Sequence, residues 1–167
     1  MAKRRSALRE LHERFREGQV EKSYLALVVG DWQYGEQVID VPLLVTNRKG
    51  GERHVVVSAK GKEARTQVAL SRTYGVCSLL QCAPETGRTH QIRVHLAGIG
   101  HPVLADRVYG GRQTIDKQGE PQPIVVPRLA LHAERLSFTH PITGVELEFV
   151  SVLPDDLASV VAALDEG

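Results

Sequence analysis

The sequence predicts an α+β fold with a mainly antiparallel mixed sheet and flanking helices, and three observations lead to this prediction. Several short segments are apolar or alternate in polarity, as β-strands do, and turn residues separate them. Amphipathic helical patterns lie at the two ends of the chain instead of alternating with the strands. A length of 167 residues with 42% apolar side chains suits one core, so we expect a single domain over residues 1–167.

Two helices follow from apolar stripes. Residues 4–17 carry one stripe among charged side chains, and Gly18 is placed to end the helix; the stripe consists of Ala7, Leu8, Leu11 and Phe15. A C-terminal helix is expected to begin at Pro154, with its buried side formed by Leu157, Val160, Val161 and Leu164.

The strand signals lie between these helices. Strands are predicted at residues 22–29, 38–41, 53–58, 64–71, 76–82, 129–133 and 136–139, and a turn at residues 141–144 leads into a last strand containing Val145, Leu147 and Phe149. Thr89 could cap a helix with Ile92, Leu96 and Ile99 on one face; the same segment would also allow a strand, and the helix is favoured. Residues 110–127, rich in Gly, Pro and Gln, are expected to form a surface loop.

Charge is distributed unevenly although the net charge is only +1. Residues 134–167 hold seven acidic side chains and one basic, which leaves the first 133 residues at +7. Such a division favours a basic working surface that orients a polyanion, although an ordinary solvated surface would look the same. Residues 48–72 hold seven basic and two acidic side chains, and the turns Lys49-Gly50-Gly51 and Lys60-Gly61-Lys62 suit phosphate contacts.

The two cysteines and the N-terminus bear on the cellular compartment. Cys77 and Cys82 are five residues apart and would point to opposite faces of a strand, so we expect two buried free thiols instead of a disulfide. The basic N-terminus is not followed by an apolar run, so it does not match a signal peptide. No segment is long and apolar enough to span a membrane. A cytoplasmic protein is therefore expected.

Residues 85–112 concentrate chemically useful side chains: Arg88, His90, Gln91, Arg93, His95, His101, Asp106, Arg107, Tyr109 and Arg112. Among the side chains named, four guanidiniums against one carboxylate suit a phosphate-rich ligand. The histidine spacing matches no common zinc pattern, so no metal is expected. GxSxG and the glycine-rich nucleotide motifs are absent from the sequence, so neither a serine hydrolase nor a nucleotide cofactor is supported.

Residues 85–96, ETGRTHQIRVHL, followed by 100–106, GHPVLAD, and by Tyr109-Gly110, resemble the signature of the large-subunit ribosomal RNA pseudouridine synthases of the RluA/RluC type. Residues 22–28, 129–133 and 136–141 resemble the same family in the same order, and the resemblance extends from about Ala2 to the C-terminal helix. The sequence of residues 4–8 favours family members that act on ribosomal RNA over those that act on transfer RNA.

The resemblance implies a pseudouridine-synthase-like fold and a cofactor-free isomerisation of uridine in RNA, with ribosomal RNA as the partner. The uridine leaves its stack, a carboxylate assists breakage of the C–N glycosidic bond, and the uracil turns and rejoins through carbon. Whether that carboxylate attacks the sugar or the base stays open.

Individual roles are implied residue by residue. Tyr24 matches the family tyrosine that packs against uracil and is a candidate for removing the C5 proton, with a core aromatic as the alternative. Arg93 matches the arginine that pairs with the catalytic carboxylate, with a phosphate contact as the alternative. RNA contact or loop bracing is implied for Arg88, His90 and Gln91. Asp106 and Tyr109 are interpreted as residues that brace a loop.

The family's nucleophile is the Asp of an HRLD-type motif, and the sequence contains no such motif. In the family this motif precedes the helix that residues 4–17 resemble, and Met1-Ala2-Lys3 looks like the tail of the strand between them. A mis-assigned start, a shortened gene or expressed fragment, and a noncatalytic descendant are the open explanations, of which an incomplete chain is favoured. The expectation is an Arg93 without an acidic partner, an unpaired strand edge, low stability and no activity of this chain alone.

Overall fold

The computed structural model describes residues 5–47, 53–116 and 122–166. Its three helices are α1 (Arg5–Arg16), α2 (Gln91–Gly98) and α3 (Asp155–Asp165). The predicted helices at the two ends are thus confirmed, with α3 beginning directly after Pro154. The predicted turn Lys49-Gly50-Gly51 and the expected strand tail Met1-Ala2-Lys3 lie outside the described residues.

The main sheet has six strands in the order β10-β9-β1-β6-β5-β2, and each recorded pairing is antiparallel. Its strands are β1 (Glu21–Val29), β2 (Gln37–Asp40), β5 (Arg65–Thr73), β6 (Cys77–Pro84), β9 (Leu131–Thr139) and β10 (Glu146–Val150). The α+β prediction is confirmed. The two strands predicted at residues 129–133 and 136–139 are one strand, β9, which begins at Leu131 and carries an irregularity opposite Ser23 and Tyr24.

Two small antiparallel hairpins complete the fold. The strands β3 (Leu43–Asn47) and β4 (Arg53–Val57) pair with each other, and so do β7 (Thr114–Ile115) and β8 (Ile124–Val125). The sequence patterns missed β3, because Leu43-Leu44-Val45 is a short apolar run without alternation. The prediction of a plain loop at residues 110–127 is wrong where β7 and β8 pair and Ile115 is fully buried.

Helix α2 forms as favoured, but its predicted cap is wrong. The residue before the helix is His90, which has a left-handed backbone with φ of 52°, and its side chain makes no capping hydrogen bond. Thr89 does not cap the helix because the amide of Gln91 organises this turn instead: its Oε1 accepts hydrogen bonds from the Arg88 backbone N–H at 3.0 Å and from the Thr86 hydroxyl at 2.7 Å.

Tyr24 and α2 lie on the same face of the main sheet. Tyr24 is paired with Cys82, and Cys82 with Val68, so their side chains point to one side. His95 of α2 bonds at 2.9 Å to Thr66, which is two residues from Val68 and therefore on that same side. The core cluster includes Leu80, Leu96 and Val103, so α2 packs into the core of the molecule.

Both cysteines are buried and free. Burial raises the pKa of the Cys77 thiol to about 11 and that of Cys82 to about 12. Neither thiol is therefore ionised at neutral pH, which fits the interpretation of both as packing residues. No helix in the described part of the chain is long and apolar enough to cross a membrane.

Candidate active site

A bidentate ion pair joins Arg93 of α2 to Asp106 in the loop that follows. Arg93 Nε donates to Asp106 Oδ2 at 2.7 Å, and Nη2 donates to Oδ1 at 2.8 Å. The Asp106 side chain is fully buried and that of Arg93 is 15% exposed. Two parallel charge-assisted hydrogen bonds in a poorly hydrated place fix both the position and the rotation of the guanidinium.

Backbone amides hold the carboxylate in turn. Oδ1 of Asp106 also accepts from the N–H groups of Val108 at 3.0 Å and Tyr109 at 3.2 Å. Burial by itself would raise the pKa of Asp106, but the hydrogen bonds and charge of Arg93, together with these two N–H groups, outweigh it and lower that pKa. Asp106 is therefore an anion dedicated to Arg93 and its own loop.

Tyr109 supports the guanidinium from another side. Arg93 Cζ lies 4.9 Å from the centre of the Tyr109 ring, a cation–π distance. The Tyr109 hydroxyl accepts from the Val55 N–H at 3.1 Å and shares a hydrogen bond of 2.9 Å with His90 Nδ1, while the His54 ring stacks on the tyrosine at 5.2 Å. The β3–β4 hairpin is thereby connected to α2 through Tyr109.

The expectation that Arg93 lacks an acidic partner in this chain is wrong. The partner is Asp106, 13 residues further on, which the chain brings back by a turn at Ala105 with φ of 57° and by Gly111 packed against Val103 and Asp106. The interpretation of Asp106 and Tyr109 as residues that brace a loop agrees with their hydrogen bonds. It missed the ion pair of Asp106 with Arg93 and the packing of the Tyr109 ring on Arg93. The sequence signal for this pair was the single carboxylate of Asp106 in the otherwise mostly apolar segment HPVLAD, residues 101–106.

Gln91 braces the structure and is 4% exposed. Its Nε2 donates to the Arg65 carbonyl at 2.9 Å and to the Thr66 hydroxyl at 3.0 Å, and its Oε1 already accepts two hydrogen bonds. All four of its hydrogen-bonding positions are occupied. Of the two roles implied for Gln91, the structure therefore favours loop bracing over RNA contact.

His95 anchors the other end of α2 to the sheet. It is fully buried, with Nδ1 at 2.9 Å from the Thr66 hydroxyl and Nε2 at 3.1 Å from the Val41 carbonyl. Burial lowers the pKa of His95, against a smaller opposing effect of Val41 and Asp40. Together, Gln91 and His95 fix α2, and hence Arg93, on the same sheet face as Tyr24.

The remaining residues implied by the motif differ in exposure. Arg88 is exposed, and its Nε donates to the Glu63 carbonyl at 2.9 Å. His90 is half-buried against Tyr109, and Tyr24 is half-buried beside the core. Arg88 is thus accessible to a ligand, whereas His90 contacts Tyr109, whose ring packs against Arg93.

The histidines do not converge on a metal site. Both ring nitrogens of His95 have protein partners, and His101 Nδ1 lies 2.9 Å from the Val29 carbonyl. Across residues 5–47, 53–116 and 122–166, no three His, Cys, Asp or Glu side chains are grouped as ligands for a metal ion.

The two principal concavities differ in charge. The larger, of about 1070 Å³, is lined by Gln67, Ala69, Gln81 and Ala83, which alternate with Val68 and Cys82 and so face away from Tyr24. Four acidic and two basic residues also line it, namely Glu17, Glu21, Glu36 and Glu85 with Lys22 and Arg135. The smaller, of about 460 Å³, has Lys60, Lys62 and Arg88 in its wall and no acidic side chain among the described residues. Of the two, the smaller one suits a polyanion better.

Comparison with protein-family models gives a match to RNA pseudouridylate synthase over residues 1–98. Among curated proteins, the ribosomal large subunit pseudouridine synthase C of Escherichia coli K12 is 43% identical over all 167 residues, and that of Pasteurella multocida is 42% identical over 99% of the chain. The chain spans about half the length of these relatives, 49% and 50% respectively.

Two solved human structures have the same fold. The match to human RNA pseudouridylate synthase domain containing 4 covers 97% of this chain and 69% of the human chain, with a TM-score of 0.74 and 26% identity. The match to human RNA pseudouridylate synthase domain containing 1 covers 99% of this chain and 74% of the human chain, with a TM-score of 0.69 and 25% identity.

Proposed function

Because this chain belongs to the RNA pseudouridylate synthase family and is of the RluA/RluC type, we propose that it provides part of the catalytic domain that isomerises uridine to pseudouridine in large-subunit ribosomal RNA. Its relatives named synthase C support ribosomal RNA as the substrate class. A cytoplasmic location and independence of metal and nucleotide cofactors remain predictions from the sequence.

The reaction is a rearrangement without change of oxidation state. The bond from uracil N1 to the ribose C1′ breaks, the base turns, and C5 bonds to C1′; C5 loses its proton and N1 gains one, so substrate and product are isomers. The groups required are one carboxylate, a cation to orient it, and a base near C5.

Arg93 is proposed as the cation that orients the catalytic carboxylate. The observation that carries this proposal is the way Arg93 is held. Asp106 accepts hydrogen bonds from its Nε and Nη2, so the guanidinium is held in one rotation. A cation held in this way needs no reorganisation when it orients the catalytic carboxylate, which is the form of preorganisation that favours catalysis.

Tyr24 is proposed to face the uracil. It is half-buried in β1, on the sheet face to which α2 is anchored. An aromatic ring there can pack on the flipped base, and its hydroxyl is a candidate for accepting the C5 proton. Phe in its place keeps the ring and removes the hydroxyl, so Tyr24→Phe separates the two roles.

Asp106 is not proposed as the nucleophile. Its side chain is fully buried, and its oxygens accept four hydrogen bonds, two from Arg93 and two from backbone N–H groups. The nucleophile is instead assigned to the HRLD-type motif of the family, which the 167-residue sequence does not contain. We therefore expect this polypeptide by itself to release no product.

The test of the proposed function joins residues 1–167 to a segment carrying the family's HRLD motif and measures tritium release from ribosomal RNA labelled at uridine C5. Release that disappears on Arg93→Ala and survives Arg135→Ala, a control arginine in an exposed ion pair, is expected. A joined protein that folds, binds RNA and releases no tritium would overturn the isomerase proposal.

A noncatalytic RNA-binding module derived from the family is the second candidate. The cavity lined by Lys60, Lys62 and Arg88 favours it, because phosphate contact requires no nucleophile. Salt-dependent RNA binding without tritium release, even from the joined protein, would identify this alternative.

A further inference from the structure

The smaller cavity has the composition of an anion site. Its wall includes the side chains of Lys60, Lys62 and Arg88, with Gly87 and Thr89 beside them, and apolar residues of β3 and β4 form the rest. Among the described residues, no aromatic and no acidic side chain lines it, so they offer neither a platform for stacking a base nor a competing carboxylate.

In the described part of the chain, no ion pair neutralises the three cations; this is true also of Arg5, Arg9 and Arg16 of α1, but the three cations line one cavity. Six other arginines of the described residues pair with a carboxylate: Arg14, Arg65, Arg72, Arg93, Arg128 and Arg135. Within the same described part of the chain, no ion pair is recorded for Lys60, Lys62 or Arg88, and all three are exposed. Like charges around one cavity repel each other, and an anion bound between them relieves that repulsion.

The cations are also held on a rigid frame. The Lys60–Lys62 turn is tied to β3 by two backbone hydrogen bonds of 2.9 Å between Leu43 and Lys62. Gly61 packs so closely that a Cβ there would lie 2.4 Å from the Leu43 carbonyl carbon. Arg88 is fixed by its bonds to the Glu63 carbonyl and to Gln91. A preorganised set of donors loses less entropy when it binds a ligand.

Helix α2 adds a favourable field. Thr89, in the cavity wall, comes immediately before the cap residue His90, so the cavity adjoins the N-terminus of this eight-residue helix. The partial positive charge of a helix N-terminus favours anions, and it acts here in addition to three full charges.

We propose that Lys60, Lys62 and Arg88 form a binding site for a backbone phosphate of the RNA. The proposal rests on the function proposed above and deepens it, because Arg88 lies at the cavity in the turn that leads into α2, and Arg93 lies on α2 itself. The phosphate bound here belongs to a nucleotide that flanks the target uridine, and its capture sets the register of the strand across α2.

The salt dependence of RNA binding tests this site. Fluorescence anisotropy with a labelled single-stranded uridine-rich 12-mer, from 50 to 300 mM KCl, gives the slope of log K against log salt for the 167-residue chain. A site for one phosphate of a single strand contributes a slope of roughly −0.7, so the triple variant Lys60→Gln, Lys62→Gln, Arg88→Gln should lose about 0.7 from the slope.

A matched variant controls for net charge. Arg5→Gln, Arg9→Gln, Arg16→Gln removes the same three charges from the exposed side of α1, and it should leave the slope close to that of the unmodified chain. The double variant Lys60→Gln, Lys62→Gln spares the hydrogen bonds of Arg88 and should lose most of the same contribution of about 0.7, which keeps the test valid if the triple variant folds poorly.

The outcomes separate this proposal from the proposed function. No salt-dependent RNA binding by the unmodified chain would overturn RNA as the partner. RNA binding whose slope falls equally in the α1 variant and in the cavity variants would overturn the site alone. Chemical-shift changes at Gly87 and Thr89 on titration with inorganic phosphate, without any change of RNA slope in the variants, would identify an adventitious anion site and also overturn the proposal.

Discussion

At the scale of single residues, the Arg93–Asp106 pair governs the candidate site. An ion pair with both charges largely out of water is costly to form but far costlier to break from one side, because the remaining charge is then buried without a partner. Asp106 thus stabilises the loop and orients Arg93 by the same two hydrogen bonds. Its importance is structural and functional at once.

Asp106→Ala is expected to lower the free energy of unfolding by about 3–5 kcal/mol, because it leaves the Arg93 guanidinium buried without its acid. Urea unfolding at pH 7 measures the loss. Glu148→Gln, which breaks the exposed pair with Arg135, should cost far less. Equal losses in the two variants would contradict the burial argument.

The lowered pKa of Asp106 gives a pH prediction. An Asp whose pKa is lowered by folding stabilises the protein fully above the pKa of the unfolded residue, about 3.9, and this contribution is lost as the pH falls through the folded value. Asp106→Asn should therefore flatten the dependence of stability on pH below about 4. An acid unfolding curve with the unmodified steepness in Asp106→Asn would be inconsistent with the prediction.

His95 should act in a different pH range. Its pKa is lowered by burial, so the folded state favours the neutral ring. Stability from this effect is complete above the unfolded pKa of about 6.5 and is lost as the pH falls below it. His95→Gln should reduce the change in unfolding free energy between pH 7.5 and pH 5.5, which denaturant titrations at the two pH values measure. The same change in both proteins would exclude His95 as its source.

At the scale of elements, α2 and its following loop depend on close backbone packing. A Cβ at Gly111 would lie 1.8 Å from the Val103 carbonyl oxygen and 2.7 Å from the Asp106 nitrogen, so the loop that presents Asp106 has no room for a side chain there. The Gly111 N–H also donates to the Asp106 carbonyl at 2.8 Å. The position of the carboxylate is therefore set by a glycine five residues away.

Gly111→Ala is expected to destabilise the fold by about 1–3 kcal/mol or more, because the backbone atoms it meets cannot move aside as a flexible side chain can. Gly87→Ala is the control, since nothing lies within 4 Å of its Cβ position. Thermal unfolding followed by circular dichroism compares the two. A Gly111→Ala variant as stable as Gly87→Ala would contradict the contact.

How far the sequence predicts these elements depends on whether a signal is local. β1, β5 and β6 follow from apolar runs bounded by turns, and α1 and α3 from single stripes. The cap of α2 was mispredicted because the buried amide of Gln91 binds Thr86 and Arg88 in the turn that Thr89 was expected to organise. The Arg93–Asp106 pair was missed because its loop brings together residues that no helical or strand periodicity relates.

At the scale of the whole molecule, the sheet ends in an apolar edge. β10 pairs on one side with β9, and Phe149, Val150 and Val152 are 55%, 60% and 84% exposed. Phe138 and Phe149 stack at 5.9 Å on this part of the sheet. An edge strand with exposed apolar side chains is a template for pairing with another strand.

Concentration-dependent self-association is the expected consequence, and sedimentation velocity measures it. Phe149→Ser should reduce association more than Phe15→Ser, which removes a phenylalanine of 43% exposure from α1, because a strand edge also offers unpaired backbone groups. A monomer at all concentrations, or an equal effect of the two variants, would contradict pairing at the edge.

The family and fold were accessible from the sequence because the motifs are contiguous, whereas the arrangement of charges required coordinates. Residues 22–28 and 85–96 identify the family without any structure. That Arg93 is already paired, and that Lys60, Lys62 and Arg88 surround one cavity, depends on contacts between distant segments. The proposed roles of Arg93 at the active site and of the three cations as a phosphate site rest on those contacts.

The central claim is that Arg93 orients a carboxylate that the 167-residue sequence does not contain. The most direct test measures tritium release from ribosomal RNA labelled at uridine C5. The 167-residue chain is used under conditions where it binds that RNA. Binding with no release above background is the predicted result. Sustained release by the chain alone would contradict the claim, because a nucleophile among residues 1–167 would then have to exist.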